Sequence, residues 1–404
     1  MFADTVCWDW SDMLWKQYVF RRGGQVNNMW DRLFHRRPIR LLYIAGRGFD
    51  VRAKTVLQSF VETSKSSLFS FEKAELLLVG FSGYQLSGPL KGVTDENARN
   101  LESLFSALGT TSTLQIDSSA AGEDDISAST ALRLGLKSVL EKLSDQTDII
   151  LDVSSLPRVV YLALMTGILD KLVGRKQANN ALLANNVNFQ VLVAEDAALD
   201  GKIQPGDPSN DLILIPGYSS PLQAESNNES PLVWFPILGE NRVSQLTKVM
   251  KSVIPVSSEV CPVLPHPSRD LRRADRLIVE YKQPLFDTMQ TPPTNILYAH
   301  ESHPFEAYRQ LLGAMDRYRK SLDIIGGCRL VVTPLGSKLI TIGAGLACFE
   351  MRPAPADAEP NYGVAIPYAE PRRYEVSLED LNSSKPEICA MLLTGSAYAE
   401  ENPT

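Results

Sequence analysis

Residues 41–54, LLYIAGRGFDVRAK, open with five apolar residues, pass through Gly46-Arg47-Gly48 and run on into Phe49-Asp50-Val51-Arg52-Ala53. The apolar run predicts a buried strand, the glycines a tight turn, and the rest the start of a helix. Strand, glycine turn and helix together build the phosphate- or nucleotide-binding edge of an open α/β sheet. Residues 148–162, DIILDVSSLPRVVYL, repeat that logic with an apolar strand, a polar turn and an apolar helix.

Working outward, the chain alternates strands and helices. Strands are expected at 75–81, 113–116, 187–194 and 212–215, and helices at 97–108, 130–143 and 157–172. This alternation implies a mostly parallel sheet. From Leu232 the order begins again. LVWFPIL (232–238) reads as a strand, Gly239-Glu240-Asn241-Arg242 as a polar turn, and 243–253 as a helix. A short strand follows at 260–264, a helix at 305–318 and a strand at 328–332. Then come Thr333-Pro334-Leu335-Gly336-Ser337-Lys338 and an apolar helix to Phe349. The fold class is therefore α/β: two Rossmann-like halves, with an internal duplication as one expectation and two unrelated α/β units as the other. The expected boundaries are an amphipathic helical segment at 1–38, a first half at 39–215, a connector at 216–231, a second half at 232–350 and a C-terminal extension at 351–404. The last residues, GSAYAEENPT, are expected to be mobile.

The 404 residues suffice for two ordinary domains. A formal charge of −7 argues against a protein-wide surface for nucleic acid or anionic membrane, although a local basic groove stays open. Five cysteines without CxxC spacing suit free thiols in a reducing cytoplasm. No basic, apolar leader opens the chain and no apolar run reaches membrane-spanning length, so a cytoplasmic protein is expected.

In GRGFDVR the glycines allow a sharp turn, and amides at a helix start suit a phosphate or carboxylate. Arg47 and Arg52 can pair with an anion, and Asp50 can cap the helix. In DVSSLPR, Asp152, Ser154 and Ser155 end a strand, Pro157 suits a first helical position, and Arg158 stands nearby. Gly336, Ser337 and Lys338 furnish the second half alike, without the spacing of a Walker A loop. Both turns equally suit purely structural caps. Arg269, Arg272, Arg273 and Arg276 share one face if residues 269–276 are helical, making an anion patch open to a nucleotide or nucleic-acid backbone; Asp270 and Asp275 could equally pair with them. His300, Glu301, His303 and Glu306 include metal-ligand types, but Pro304 interrupts the helix a zinc pair needs, and capping of a helix at 304 is the better account. Trp8, Trp10, Trp15 and Trp30 among arginines read as a packing helix or as a surface for a partner protein.

The GRGFDVRA stretch resembles motif I of class I methyltransferases, which implies S-adenosylmethionine binding. That family places an acid at the end of the next strand, where this chain has Val79-Gly80-Phe81-Ser82-Gly83. In layout, each half resembles the Rossmann-like sensor domains of the CARF type. The matching positions are Gly46, Gly48, Ser154, Ser155 and Arg158, then Gly239, Ser337 and Lys338. This resemblance implies binding of cyclic oligonucleotides and a role in prokaryotic antiviral defence. With no convincing catalytic acid, base or nucleophile, the expected function is a sensor or adaptor for an anionic, nucleotide-like ligand. A methyltransferase and a structural subunit are the alternatives. Beyond that ligand no cofactor or metal is called for.

Overall fold

The computed structural model describes residues 13–117, 127–174, 181–223, 230–352 and 363–399. Trp8, Trp10, most of the acidic loop and the final five residues lie outside them.

The strand read from residues 41–45 is the centre of the first sheet. β1 (Val19–Arg22) and α1 (Gly24–Phe34) precede it. β2 (Pro38–Gly46), α2 (Arg52–Ser66), β3 (Ser70–Phe81), α3 (Gly88–Phe105), β4 (Thr110–Ile116), α4 (Ala128–Glu141), β5 (Asp148–Asp152), α5 (Arg158–Leu172) and β6 (Asn188–Glu195) follow. From β4 inward the strands run β4-β3-β2-β5-β6, all parallel. This is the Rossmann order, and the chain switches direction between β2 and β5. Side chains of β2 alternate between two cores: Leu42 and Ile44 face α4 and α5, while Leu41, Tyr43 and Ala45 face α1, α2 and α3. A strand covered on both faces must be apolar throughout, as LLYIA is.

The second half contains β7 (Leu232–Ile237), α6 (Val243–Val253), β8 (Val263–Pro265), α7 (Arg273–Glu280), β9 (Leu297–Ala299), α8 (Pro304–Leu322), β10 (Arg329–Pro334), α9 (Lys338–Met351) and β11 (Val364–Ala365). Its sheet runs β9-β8-β7-β10-β11, again parallel and in the same order as the first.

Three boundaries differ from the sequence reading. Of the segment expected at 1–38, the described residues 13–38 do not form a separate helical unit, because β1 hydrogen-bonds into the first sheet. The extension beyond 351 supplies β11 to the second sheet, and β12 (Glu387–Thr394) then returns to the first. There β12 lies antiparallel between β1 and β6. The strand expected at 212–215 is only Ile213–Leu214, paired with Pro367–Tyr368 outside both main sheets. Hydrophobic patterning finds a strand but not a partner supplied from some 150 residues away, and that was the missing information.

The halves are not independent units. α5 (RVVYLALMTGILDKL) and α9 (KLITIGAGLACFEM) have almost no polar face, because each lies between its own sheet and the other helix. At their crossing a methyl group on Gly345 would meet Met165 Cε at 2.5 Å and Leu162 Cδ2 at 2.9 Å, so any larger residue there would have to displace these side chains. One apolar cluster consequently runs from the first sheet through both helices into the second.

Candidate functional site: a crevice between the two switch points

Both sheets end their first and fourth strands level with each other: Ala45 pairs with Asp152, and Ile237 with Pro334. The turns that follow pack together closely. A Cβ on Gly46 would lie 2.7 Å from the Ser155 carbonyl carbon, one on Gly48 2.6 Å from Ser155 O, and one on Gly239 2.3 Å from Leu335 O. The glycines thus serve turn-on-turn packing in both halves. Three polar groups of GRG are held internally: Arg47 N donates to Val79 O at 2.9 Å, Ser155 Oγ to Gly46 O at 2.8 Å, and Asn97 Nδ2 to Gly48 O at 3.1 Å.

Facing each other, the two switch points enclose a crevice of about 130 Å³. Its first-half wall comes from residues after β2, β3, β5 and β6, its second-half wall from residues after β7, β8 and β10, and Tyr374 of the C-terminal segment completes it. The starts of α5 and α9 both line it, so the positive ends of two helix dipoles lie at its edge. Five basic residues line it (Arg52, Arg158, Arg242, Arg273 and Lys338) against three acidic ones (Asp50, Asp200 and Glu240). In a chain of net charge −7 that is a local reversal of sign.

Most of these charges are fixed by ion pairs. Arg52, 1% exposed, donates to Asp50 at 2.6 and 2.9 Å and to Asp200 at 2.8 Å. Burial pushes the Asp50 carboxyl up, but Arg52 and Lys338 outweigh it and hold Asp50 below its ordinary value. Arg273 forks onto Glu240 at 2.6 and 2.7 Å and also bonds Glu301. Two cations reach across the crevice in opposite directions. Lys338 donates to Ser154 O and lies 3.7 Å from Asp50. Arg158 donates to Gly336 O at 2.5 Å and to Tyr368 Oη at 3.2 Å. Burial, with Arg52 close by, lowers the Lys338 pKa.

The structure brings Asp50, Arg52, Ser154, Ser155, Arg158, Gly336, Ser337 and Lys338 to one crevice. Arg47 is turned away onto Asp95 at 2.8 Å. The serines offer backbone rather than hydroxyls: Ser154 Oγ accepts from Ala194 N at 2.9 Å, and Ser155 Oγ is committed to Gly46. Asp152 lies beneath them, bonded by Ser154 N and Tyr43 Oη, and burial pushes it up to about 6. Ser337 Oγ caps α9 at Ile340 N.

The anion patch is corrected. The helix begins at Arg273 rather than Arg269, so Arg273 turns inward while Arg269 and Arg276 pair outside with Glu387 and Asp270. Asp270 fixes the turn by accepting from Arg272 N, which is why the helix starts late. The four arginines do not share a face. Glu301 is buried against Arg273, and His303 caps α8 at Glu306 N. Trp15 and Trp30 are fully buried, with their indole N–H groups on Leu393 O and Gln190 Oε1.

Sequence reasoning missed Tyr84, Tyr161, Arg242 and Tyr374. Tyr84 and Arg242 sit in breaks after strands, which was a usable signal. Tyr374 comes from the returning C-terminal segment and had none. Its ring lies 5.1 Å from Tyr84 and 6.1 Å from Phe49, giving the crevice an aromatic side.

No protein-family model matches the sequence, and no curated protein matches it. Among solved structures, a Listeria monocytogenes protein provisionally assigned as a UDP-N-acetylglucosamine 2-epimerase aligns with 73% of this chain and 74% of its own. The identity is 12% and the TM-score 0.22, values that carry no functional argument. No helix among the described residues is long and apolar enough to cross a membrane.

Proposed function

We propose that the crevice binds an anionic, nucleotide-like ligand and that the protein acts as a sensor or adaptor. The observation that carries this reading is the excess of basic side chains, beside two helix starts, at the facing carboxyl ends of both sheets. That is where open α/β sheets collect ligands. The identical strand order of the halves fits a duplicated sensor domain of the CARF type, and with it a role in prokaryotic antiviral defence. The methyltransferase reading has less support, because both glycine carbonyls and the Arg47 amide of the GRG turn are bonded internally. The structural-subunit reading loses two of its tryptophans to the interior and its arginine face to local ion pairs.

Calorimetry against nucleoside mono- and diphosphates and cyclic oligonucleotides tests the proposal. At least one should bind, and Arg242→Ala should weaken it by about 1.5–3 kcal/mol, the worth of a hydrogen bond to a charged group. If no member binds at millimolar concentration, the reading is wrong.

A further inference from the structure

The ion pairs of the crevice can be matched off, and what is left over is specific. Arg52 takes Asp200, Lys338 takes Asp50, and Arg273 takes Glu240. Arg158 and Arg242 remain, with no carboxylate partner on the crevice wall. Each also has a buried N–H without an acceptor, Nε in Arg158 and Nη1 in Arg242. Tyr161, one turn along α5 from Arg158 and 1% exposed, lines the same crevice. Its Oη lies near Arg158 and Thr341 without a hydrogen bond of normal geometry to either. Glu370, which feels both arginines, is buried with its Oε2 also lacking a partner, and burial pushes it up to about 7.

Buried donors left without acceptors are costly, and three around one crevice call for an acceptor-rich guest. Two guanidiniums without an ion pair favour a dianionic guest over a monoanionic one. A phosphomonoester carries about −1.5 to −2 at pH 7, whereas one phosphodiester carries about −1. The aromatic side of Phe49, Tyr84 and Tyr374 offers a planar ring a place to pack.

Resting on the nucleotide-like reading above, we propose that Arg158, Tyr161 and Arg242 seat a terminal phosphomonoester, with the ligand's ring against Tyr374. The crevice then prefers a nucleoside monophosphate to its cyclic diester. Tyr161 is a specificity residue here, and in the empty protein its hydroxyl contributes nothing to stability.

The test titrates the full chain at pH 7 with the four ribonucleoside 5′-monophosphates, the matching 3′,5′-cyclic monophosphates, the nucleosides and ribose 5-phosphate. The best monophosphate should bind at least about tenfold more tightly than its cyclic form, and more tightly than ribose 5-phosphate. Tyr161→Phe should cost the monophosphate roughly fivefold to tenfold, leave the nucleoside unchanged, and leave the ligand-free melting temperature equal or higher. Equal binding of cyclic and open forms would overturn the seat. So would Tyr161→Phe that leaves monophosphate affinity unchanged or lowers the ligand-free melting temperature. If cyclic oligonucleotides alone bind and Arg242→Gln weakens them, the seat is wrong while the crevice reading stands. If nothing binds, both are wrong.

Discussion

Asp50→Asn isolates the buried network that joins the two halves. In the native protein Asp50 takes three contacts from the Arg52 guanidinium, at 2.6, 2.9 and 3.1 Å, and lies 3.7 Å from Lys338. The amide keeps the Arg52 N–H contact now made to Asp50 Oδ1 at 3.1 Å but removes the charge. Arg52 then has Asp200 as its one carboxylate, beside the Asp196 carbonyl, and Lys338 has the Ser154 carbonyl. Removing one partner of a buried pair costs about 3–5 kcal/mol, because the other charge stays buried. With an unfolding entropy of about 2.1 cal/mol/K per residue, a chain of 404 residues should melt roughly 4–6 °C lower. Because the folded pKa of Asp50 is depressed, its contribution is present above the ordinary value of 3.8 and lost as pH falls through the folded pKa. Calorimetric melts at neutral and acid pH measure both effects, and the variant should lose less stability than wild type on the acid side. An unchanged or higher melting temperature at pH 7 would refute the reasoning. It would mean that desolvating these ions already cancels their attraction.

Glu370→Gln works the opposite limb. The folded pKa is raised by burial to about 7, so its contribution is full below the ordinary 4.5 and lost as pH rises through about 7. The variant should match wild type at pH 4 and exceed it by about 1–3 kcal/mol at pH 8 in urea unfolding. Trp30→Ala should cost about 3–5 kcal/mol, since it empties a fully buried site and frees Gln190 Oε1, while leaving any nucleotide affinity unchanged. A loss below about 1 kcal/mol would return residue 30 to the surface.

The parts of this fold that were legible in the sequence are those whose causes are local. LLYIA and DIILD are strands because both faces are covered, and both turns bear the residues a switch point needs. What the turns do was less legible. Gly48 reads equally as an opening for a ligand and as a fit against Ser155, and only the distance between two turns some 100 residues apart decides for the second. Ser154 and Ser155 look like a cradle until their hydroxyls are seen bonded to Ala194 and Gly46. The patch at 269–276 was misread because Asp270 holds a turn where helical spacing was assumed. The aromatic wall at Tyr374 was invisible because it depends on a chain that leaves the second half and comes back.

That return has a consequence during synthesis. β6, NFQVLVAE, emerges from the ribosome with its outer edge bare, and the strand that covers it is made only after the whole second half. Until then the first sheet presents an apolar edge ready to pair with any extended chain. Residues 188–195 should therefore be the segment on which nascent or truncated chains aggregate, and a holding chaperone should matter most in the interval between the two strands.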